Sequence, residues 1–216
     1  MGIKHVLGER VLFLGAHLDD VEFGCGGILQ RCIAEEGVAV RIDTASDHNE
    51  NAKNEIQLFR DVSETVNAMR ILGVTNYNIH RIPGQRFDTY NQEIRELLLS
   101  IKKEYNPTSV FFPALLDIHQ DHEVIANESY RIFRNVNCFG YEVIRSSREF
   151  EPNVSLEVSE EELINKIDAI MSYASQINQS AAYYFDKDII RAISIFRGAK
   201  IGVKFAESFC CYQLRI

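Results

Sequence analysis

Short apolar runs alternate with helical patterns along the first two thirds of this 216-residue chain. The runs are long enough for buried strands, and the segments between them carry apolar residues at helical spacing. This alternation is typical of β-α-β units, in which a helix joins two parallel strands. We therefore predict an α/β fold with a mainly parallel sheet and helices on both faces. The predicted strands are residues 11–15, 38–43, 75–79 and 109–112, and the predicted helices are 27–36, 51–72, 92–105 and one beginning near 122.

The alternation weakens in the last third of the chain. Residues 159–162 read S-x-x-E, the form of a capping box that begins a helix. An edge strand is predicted over residues 207–214. No linker rich in proline, glycine or serine divides the sequence. We predict one domain over residues 1–216, with a core at 1–145 and a C-terminal extension of helices and strands at 146–216.

Composition excludes several classes of protein. The net charge is −8 without a basic cluster, so that a nucleic acid backbone would be repelled. No apolar run reaches the roughly 18 residues of a membrane span, and no signal peptide is visible, which favours a cytoplasmic protein. Five cysteines without a CxxC pair fit neither a disulfide framework nor a thiolate zinc site. We expect reduced thiols.

Two charged clusters directly follow predicted strands. The first is AHLDDVEFGCGG after the first strand, and the second is HQDH after the fourth. The carboxyl ends of parallel strands open onto a shared crevice, so these clusters are expected to meet although about a hundred positions separate them. The side chains concerned are His17, Asp19, Asp20, Glu22, His119, Asp121 and His122.

A glycine loop that binds a dinucleotide is the first alternative for the turn after the first strand. The turn does not read GxGxxG, however, and it places carboxylates where a pyrophosphate needs bare backbone N–H groups. A divalent metal ion explains the same residues without charge repulsion. His17, Asp20 and one histidine of the second cluster form the three-ligand set of a catalytic zinc site, which leaves a position for water. Ferrous iron suits the same ligands.

The two motifs resemble those of the PIG-L/LmbE-like family of zinc-dependent de-N-acetylases. Weaker similarity continues in LGV, NPTSVFFP, YASQ and FAESF, so that it spans most of the chain. The sequence departs from the family at Leu18, where proline is common. The resemblance implies a Rossmann-like fold and removal of an acetyl group from an N-acetylglucosamine-type sugar.

The resemblance also implies a role for each residue of the two clusters. Asp19 would be the general base, and His119 would stabilise the oxyanion or protonate the leaving amine. Asp121 would support the second histidine cluster. The implied zinc ligands are His17, Asp20 and His122.

Substrate recognition is less constrained by the sequence. The loops after the second and third strands should border the crevice, which makes His48, Asn49, Arg81 and Arg86 candidates for sugar or phosphate contacts. Without an aromatic ladder or a carbohydrate-binding module, a small N-acetylated amino-sugar conjugate is favoured over polymeric chitin. Three alternatives stay open: a non-catalytic sugar- or nucleotide-binding module, an esterase, and an amidohydrolase on a non-sugar substrate. A homo-oligomer is also compatible with the sequence.

Overall fold

A computed structural model describes residues 2–48, 60–178 and 183–215 of the chain. Within these residues seven strands form one sheet with helices packed against it. The strands are β1 (Arg10–Gly15), β2 (Ala39–Thr44), β3 (Tyr77–Ile79), β4 (Ser109–Pro113), β5 (Asn137–Tyr141), β6 (Val154–Glu157) and β7 (Ala206–Gln213). The helices are α1 (Lys4–Leu7), α2 (Asp20–Ala34), α3 (Val62–Leu72), α4 (Asn91–Tyr105), α5 (Gln120–Phe133), α6 (Glu160–Ile170), α7 (Ala174–Ile177) and α8 (Lys187–Ile201).

The strand order is β3-β2-β1-β4-β5-β7-β6, and the first five strands of this order are parallel. β5 and β6 each pair antiparallel with β7. The chain crosses from β1 outward to β3 and then returns to place β4 on the other side of β1. The predicted α/β fold with a mainly parallel sheet is therefore confirmed, and the carboxyl ends of β1 and β4 are neighbours.

Side chains of β1 point alternately to two apolar cores, one on each face of the sheet. Phe13 packs in a core with residues of α2, α3 and α6. Leu12 and Leu14 pack in a second core with residues of α4 and α5. A strand buried on both faces reads as a continuous apolar run, which is why β1 is so apolar in the sequence.

Helix α2 begins at Asp20, seven residues before the predicted start at residue 27. The prediction was wrong because three glycines made the segment look non-helical. These glycines instead allow close packing: a Cβ atom on Gly24 would lie 2.2 Å from the ring of Tyr141, and one on Gly26 would lie 2.7 Å from the side chain of Lys166. The early start places the DD pair at the first turn of α2, directly beyond β1.

The C-terminal segment differs from the prediction in one strand. β7 lies between β5 and β6, so that it is an internal strand and not an edge strand. The predicted capping box is confirmed, because Ser159 and Glu162 exchange both hydrogen bonds at the start of α6. Residues 51–59 of the predicted helix over 51–72 lie outside the described residues, and α3 covers its last part.

No helix in the described part of the chain is long and apolar enough to cross a membrane. The five cysteines carry free thiols. Cys25, Cys32 and Cys138 are buried and pack in the apolar cores.

Candidate metal centre

The two charged clusters meet at the carboxyl ends of β1 and β4. His17 and Asp19 lie in the turn between β1 and α2, and Asp20 is the first residue of α2. His119 caps α5, with its Nδ1 accepting a hydrogen bond from the backbone N–H of Asp121. Both clusters therefore stand at helix N-termini that face one crevice, as the strand order predicts.

Donor atoms of three side chains, His17, Asp20 and His122, converge at the bottom of this crevice. Nε2 of His122 lies 3.3 Å from Nδ1 of His17 and 3.3 Å from Oδ1 of Asp20. Nδ1 of His17 is 3.6 Å from Oδ2 of Asp20. This oxygen also accepts a hydrogen bond from the backbone N–H of His17 at 2.7 Å. The ring nitrogens of His17, His119 and His122 also approach one another, all within 4.8 Å.

A second carboxylate contacts the far side of each of the two central imidazoles. Oδ2 of Asp121 lies 3.0 Å from Nε2 of His17, and Oδ2 of Asp117 lies 3.1 Å from Nδ1 of His122. The support predicted from Asp121 thus goes to the first histidine cluster, while Asp117 holds that place at His122. Such pairs fix the orientation and the tautomer of a histidine that binds metal.

The charged groups of the cluster shift one another's pKa values. Burial raises the pKa of Asp20, but attraction to His122 and His17 outweighs burial and holds this pKa well below its usual range. Burial lowers the pKa of His122, yet Asp20 and Asp117 raise it to about 9. The carboxylates beside these imidazoles thus favour positive charge at the cluster.

The donor set fits a divalent metal ion. Two imidazole nitrogens and one carboxylate oxygen are ligands that zinc and ferrous iron both accept. The two imidazoles each have a carboxylate behind them, as metal-binding histidines almost always do. Asp20 and His122 are almost fully buried, so the site is shielded from bulk water on the protein side.

Asp19, adjacent to Asp20, contacts a different partner. Its two carboxylate oxygens lie 3.3 Å and 3.0 Å from the two terminal nitrogens of the Arg60 guanidinium. Arg60 is nearly buried and lies over the ring of Tyr173 at 5.3 Å. Adjacent aspartates thus point apart, one toward the histidines and one toward an arginine.

A buried Glu22 lies behind the cluster in the first turn of α2. The hydroxyl of Tyr173 lies within hydrogen-bond distance of both the Glu22 carboxyl group and the backbone carbonyl of Leu18. Burial raises the pKa of Glu22 to about 8, with the nearby Asp19 and Asp20 adding to the effect. Glu22 is therefore a buried carboxyl group that packs behind the site.

A cavity of about 330 Å³ opens above the cluster. Its base is formed by the two clusters, and its walls include Arg60, His48 and the loop that follows β5. Asp121 is fully buried beneath His17 and does not line this cavity. The base residues are His17, Asp19, Asp20, His119 and His122.

The predicted substrate contacts lie at different distances from this cavity. His48 lines it, and Nδ1 of His48 is buried without a hydrogen-bond partner among the described residues. Arg81 is 71% exposed and contacts Asp47 at 3.3 Å, and Arg86 is exposed. Neither arginine is among the described residues that line the cavity. Asn49 lies outside the described residues.

Several residues of the site had no signal in the sequence. Asp117 stands two positions before the HQDH motif and reads there as an ordinary loop carboxylate. Arg60, Arg145 and Ser146 come from segments without any recognisable pattern, and only the fold brings them to the cavity. An ion pair such as Arg60 with Asp19, 41 positions apart, cannot be predicted from local spacing.

Comparison with known proteins agrees with this geometry. The family model described as PIG-L, GlcNAc-PI de-N-acetylase, matches residues 12–133, which hold both charged clusters. The chain belongs to the PIG-L family. It is 28% identical over 174 residues to the uncharacterized deacetylase YaiS of Escherichia coli (strain K12), a match that covers 77% of this chain and 91% of YaiS.

Solved structures show that members of this fold differ in their chemistry. The N,N'-diacetylchitobiose deacetylase of Pyrococcus horikoshii superposes with a TM-score of 0.75 at 20% identity, covering 97% of this chain and 85% of that one. GalB of Pseudomonas putida KT2440, a 4-carboxy-2-hydroxymuconate hydratase, superposes with a TM-score of 0.77 at 18% identity, covering 96% and 98%. These similarities establish the fold, while the family match identifies the chain as a PIG-L-type deacetylase.

Proposed function

We propose that this protein is a metal-dependent hydrolase that removes the acetyl group from an N-acetylglucosamine-type sugar of a small conjugate. One observation carries the proposal: His17, Asp20 and His122 converge beside Asp19 at the base of a cavity, in a chain of the PIG-L family. Asp20 contacts the histidines, and Asp19 contacts Arg60. These separate partners suit a metal ligand at Asp20 and a general base at Asp19. The deacetylases among its relatives support the choice of reaction.

We assign His17, Asp20 and His122 as the ligands of zinc, with ferrous iron as the alternative metal. When bound there, the metal would lower the pKa of a water molecule and polarise the acetyl carbonyl. Asp117 and Asp121 hold the two imidazoles in the tautomer that turns the other ring nitrogen toward the ion. The three side chains thus work as one prearranged set.

Asp19 is the proposed general base. Its carboxylate stands beside the ligand Asp20 and lines the cavity, where it can accept a proton from the attacking water. His119, which also forms part of the base of the cavity, can donate a hydrogen bond to the oxygen that gains negative charge, or a proton to the leaving nitrogen. Arg60 neutralises Asp19 between reactions and keeps its side chain in place.

The size of the cavity favours a small substrate. A volume of about 330 Å³ is at the low end of the roughly 300–1,000 Å³ usual for ligand pockets. It suits one sugar ring and a small attached group better than a polymer. His48 lines the cavity, which makes its side chain a candidate contact for a sugar hydroxyl. A cytoplasmic location and a homo-oligomeric state stay predictions.

Acetate release from N-acetylglucosamine, its methyl glycoside and its 1-phosphate, measured with zinc and with a chelator, tests this function. We expect release that the chelator abolishes. Asp19→Asn should lower kcat by about 100-fold or more, because the general base is lost while the metal stays. The matched control is Asp168→Asn, an exposed carboxylate on α6 that should leave kcat unchanged.

Other reactions on the same fold give different results in this assay. Release from O-acetyl sugars alone would indicate an esterase, and binding without release would indicate a sugar-binding module. GalB shows that the fold also supports a hydratase, which would release no acetate. Acetate release that persists undiminished in the chelator or in Asp19→Asn would contradict the proposal.

A further inference from the structure

Two arginines stand on the cavity wall next to the candidate metal centre. Arg145 and Arg148 lie in the loop after β5 and line the cavity. The carboxylates that line it, among the described residues, are Asp19 and Asp20, and these contact Arg60 and the histidines. Among the described residues that line the cavity, no carboxylate is left to pair with Arg145 or Arg148, so this wall carries an excess of positive charge. In a chain with a net charge of −8, this local excess points to an anionic ligand.

The loop that carries the two arginines is fixed in place. Hydroxyls of Ser146 and Ser147 donate hydrogen bonds to Oδ2 of Asp117 at 2.8 Å and 2.9 Å. The backbone N–H of Ile118 donates to the carbonyl of Ser146 at 3.1 Å. Asp117 also contacts His122, so one carboxylate joins the loop to a proposed metal ligand. The backbone that carries the two exposed arginine side chains is thus held in place, which lowers the entropic cost of binding a ligand.

The guanidinium of Arg145 is further ordered by an aromatic ring. Its central carbon lies 5.5 Å from the centre of the Tyr184 ring, within the range of a cation–π contact. A guanidinium carries five N–H donors, so Arg145 can contact Tyr184 and still donate hydrogen bonds to a carboxylate or a phosphate. Lysine at this position would offer a point charge without that planar edge.

We propose that Arg145 and Arg148 form an anion subsite for a phosphate or carboxylate group carried by the substrate beside its N-acetyl sugar. The inference rests on the proposed function, because it names the substrate class of the same site as anionic conjugates. Phosphate and carboxylate share the chemistry that the guanidinium groups recognise. Pairs of substrates that differ in only one anionic group distinguish a phosphate from a carboxylate.

Two matched pairs of substrates test the subsite with the metal-loaded enzyme. The phosphate arm compares N-acetylglucosamine 1-phosphate with the neutral methyl glycoside. The carboxylate arm compares the carboxymethyl glycoside with its neutral carboxamide. In the wild type we expect KM to be about tenfold lower for the anionic member of at least one pair. A tenfold ratio corresponds to the free energy that one hydrogen bond to a charged group contributes. The arm that shows the difference identifies the anion.

The double variant Arg145→Gln/Arg148→Gln should remove this preference. We expect the ratio of KM values within each pair to fall to within about twofold of unity. The control is Arg70→Gln/Arg134→Gln, which removes two exposed charges at the C-terminal ends of α3 and α5. This control should keep the wild-type ratio, so that a change in net charge alone is accounted for.

Equal KM values for both members of both pairs in the wild type would overturn the inference, as would a preference that survives in the double variant. If no substrate releases acetate, the proposed function fails, and the same pairs are compared by titration calorimetry. A preference in Kd that the double variant abolishes would then still support the subsite. Equal Kd values would overturn it. The two failures are therefore distinguishable.

Discussion

Two buried aspartates orient the imidazoles that face each other in the candidate metal centre. Asp121 contacts Nε2 of His17, and Asp117 contacts Nδ1 of His122. A carboxylate at one ring nitrogen favours the proton there and turns the other nitrogen toward the ion. At the scale of single residues, we therefore expect metal affinity to depend on groups that do not touch the metal.

Asp117→Asn tests this dependence. Asparagine keeps the size of the side chain and one acceptor for the serine hydroxyls, but it loses the charge that supports His122. We expect zinc affinity about 10–100-fold weaker, the usual effect of losing such a partner. Competition with a chromophoric chelator measures it. Glu123→Gln, an exposed neighbour on α5, is the control, and unchanged affinity in Asp117→Asn would show that His122 needs no such support.

The residues of the two motifs could be predicted from the sequence because each cluster is local and follows an apolar strand. His17, Asp20 and His122 do meet, as the spacing and the sheet order require. Arg145 and Asp117 could not be predicted in the same way. Their roles arise from two loops, one after β4 and one after β5, that the fold brings together, and neither loop carries a distinctive pattern.

Helix α2 is the element that joins the metal centre to the core. Its glycines let neighbouring elements approach closely, and Gly24 lies directly against the ring of Tyr141. The hydroxyl of Tyr141 donates to the carbonyl of Leu14 on β1, so that this ring cannot move aside without losing a buried hydrogen bond. Packing at Gly24 thus fixes α2 relative to β1 and with it the position of Asp20.

Gly24→Ala should destabilise the protein although alanine is the better helix former. The added methyl group would lie 2.2 Å from a ring atom of Tyr141, and such overpacking costs about 1–3 kcal/mol. Urea denaturation followed by circular dichroism measures the change in the free energy of unfolding. A variant as stable as the wild type would mean that the ring can move and that α2 is not fixed here.

Helices and strands were predicted correctly where the apolar residues follow a strong periodic pattern. The prediction was wrong where tertiary contacts determine the structure. The parallel strands and α4 follow from apolar patterns. The start of α2 was placed too late because glycine has a low helix propensity, which contacts with Tyr141 and Lys166 outweigh. The internal position of β7 depends on which strands pair with it, and the local sequence holds no information on that pairing.

At the scale of the whole molecule, a buried ion pair ties the C-terminal segment to α2. Glu207 on β7 accepts hydrogen bonds from the backbone N–H groups of Gly27 and Ile28 at 2.7 Å and 2.8 Å. Its carboxylate is also 2.7 Å from Nζ of Lys166 on α6, and both side chains are buried. Three elements that are distant in sequence thus meet at one carboxylate.

Glu207→Gln should lower the free energy of unfolding by about 3–5 kcal/mol, because it leaves the buried Lys166 ammonium without its counter-charge. Glu160→Gln is the matched control. Glu160 pairs with Lys204 at 2.8 Å, but both side chains are mostly exposed, so this variant should unfold close to the wild type. Thermal and urea unfolding of both variants compare the two pairs. An equal loss of unfolding free energy in the two variants would contradict the role of Glu207 in holding the C-terminal segment against α2.

The central claim is that His17, Asp20 and His122 bind one metal ion between them. Bound metal per chain, measured by inductively coupled plasma mass spectrometry after zinc loading and desalting, tests it most directly. We predict one zinc ion per chain in the wild type and in Asp19→Asn, and almost none in His122→Ala. Equal zinc content in His122→Ala and the wild type, or none in the wild type, would contradict the claim.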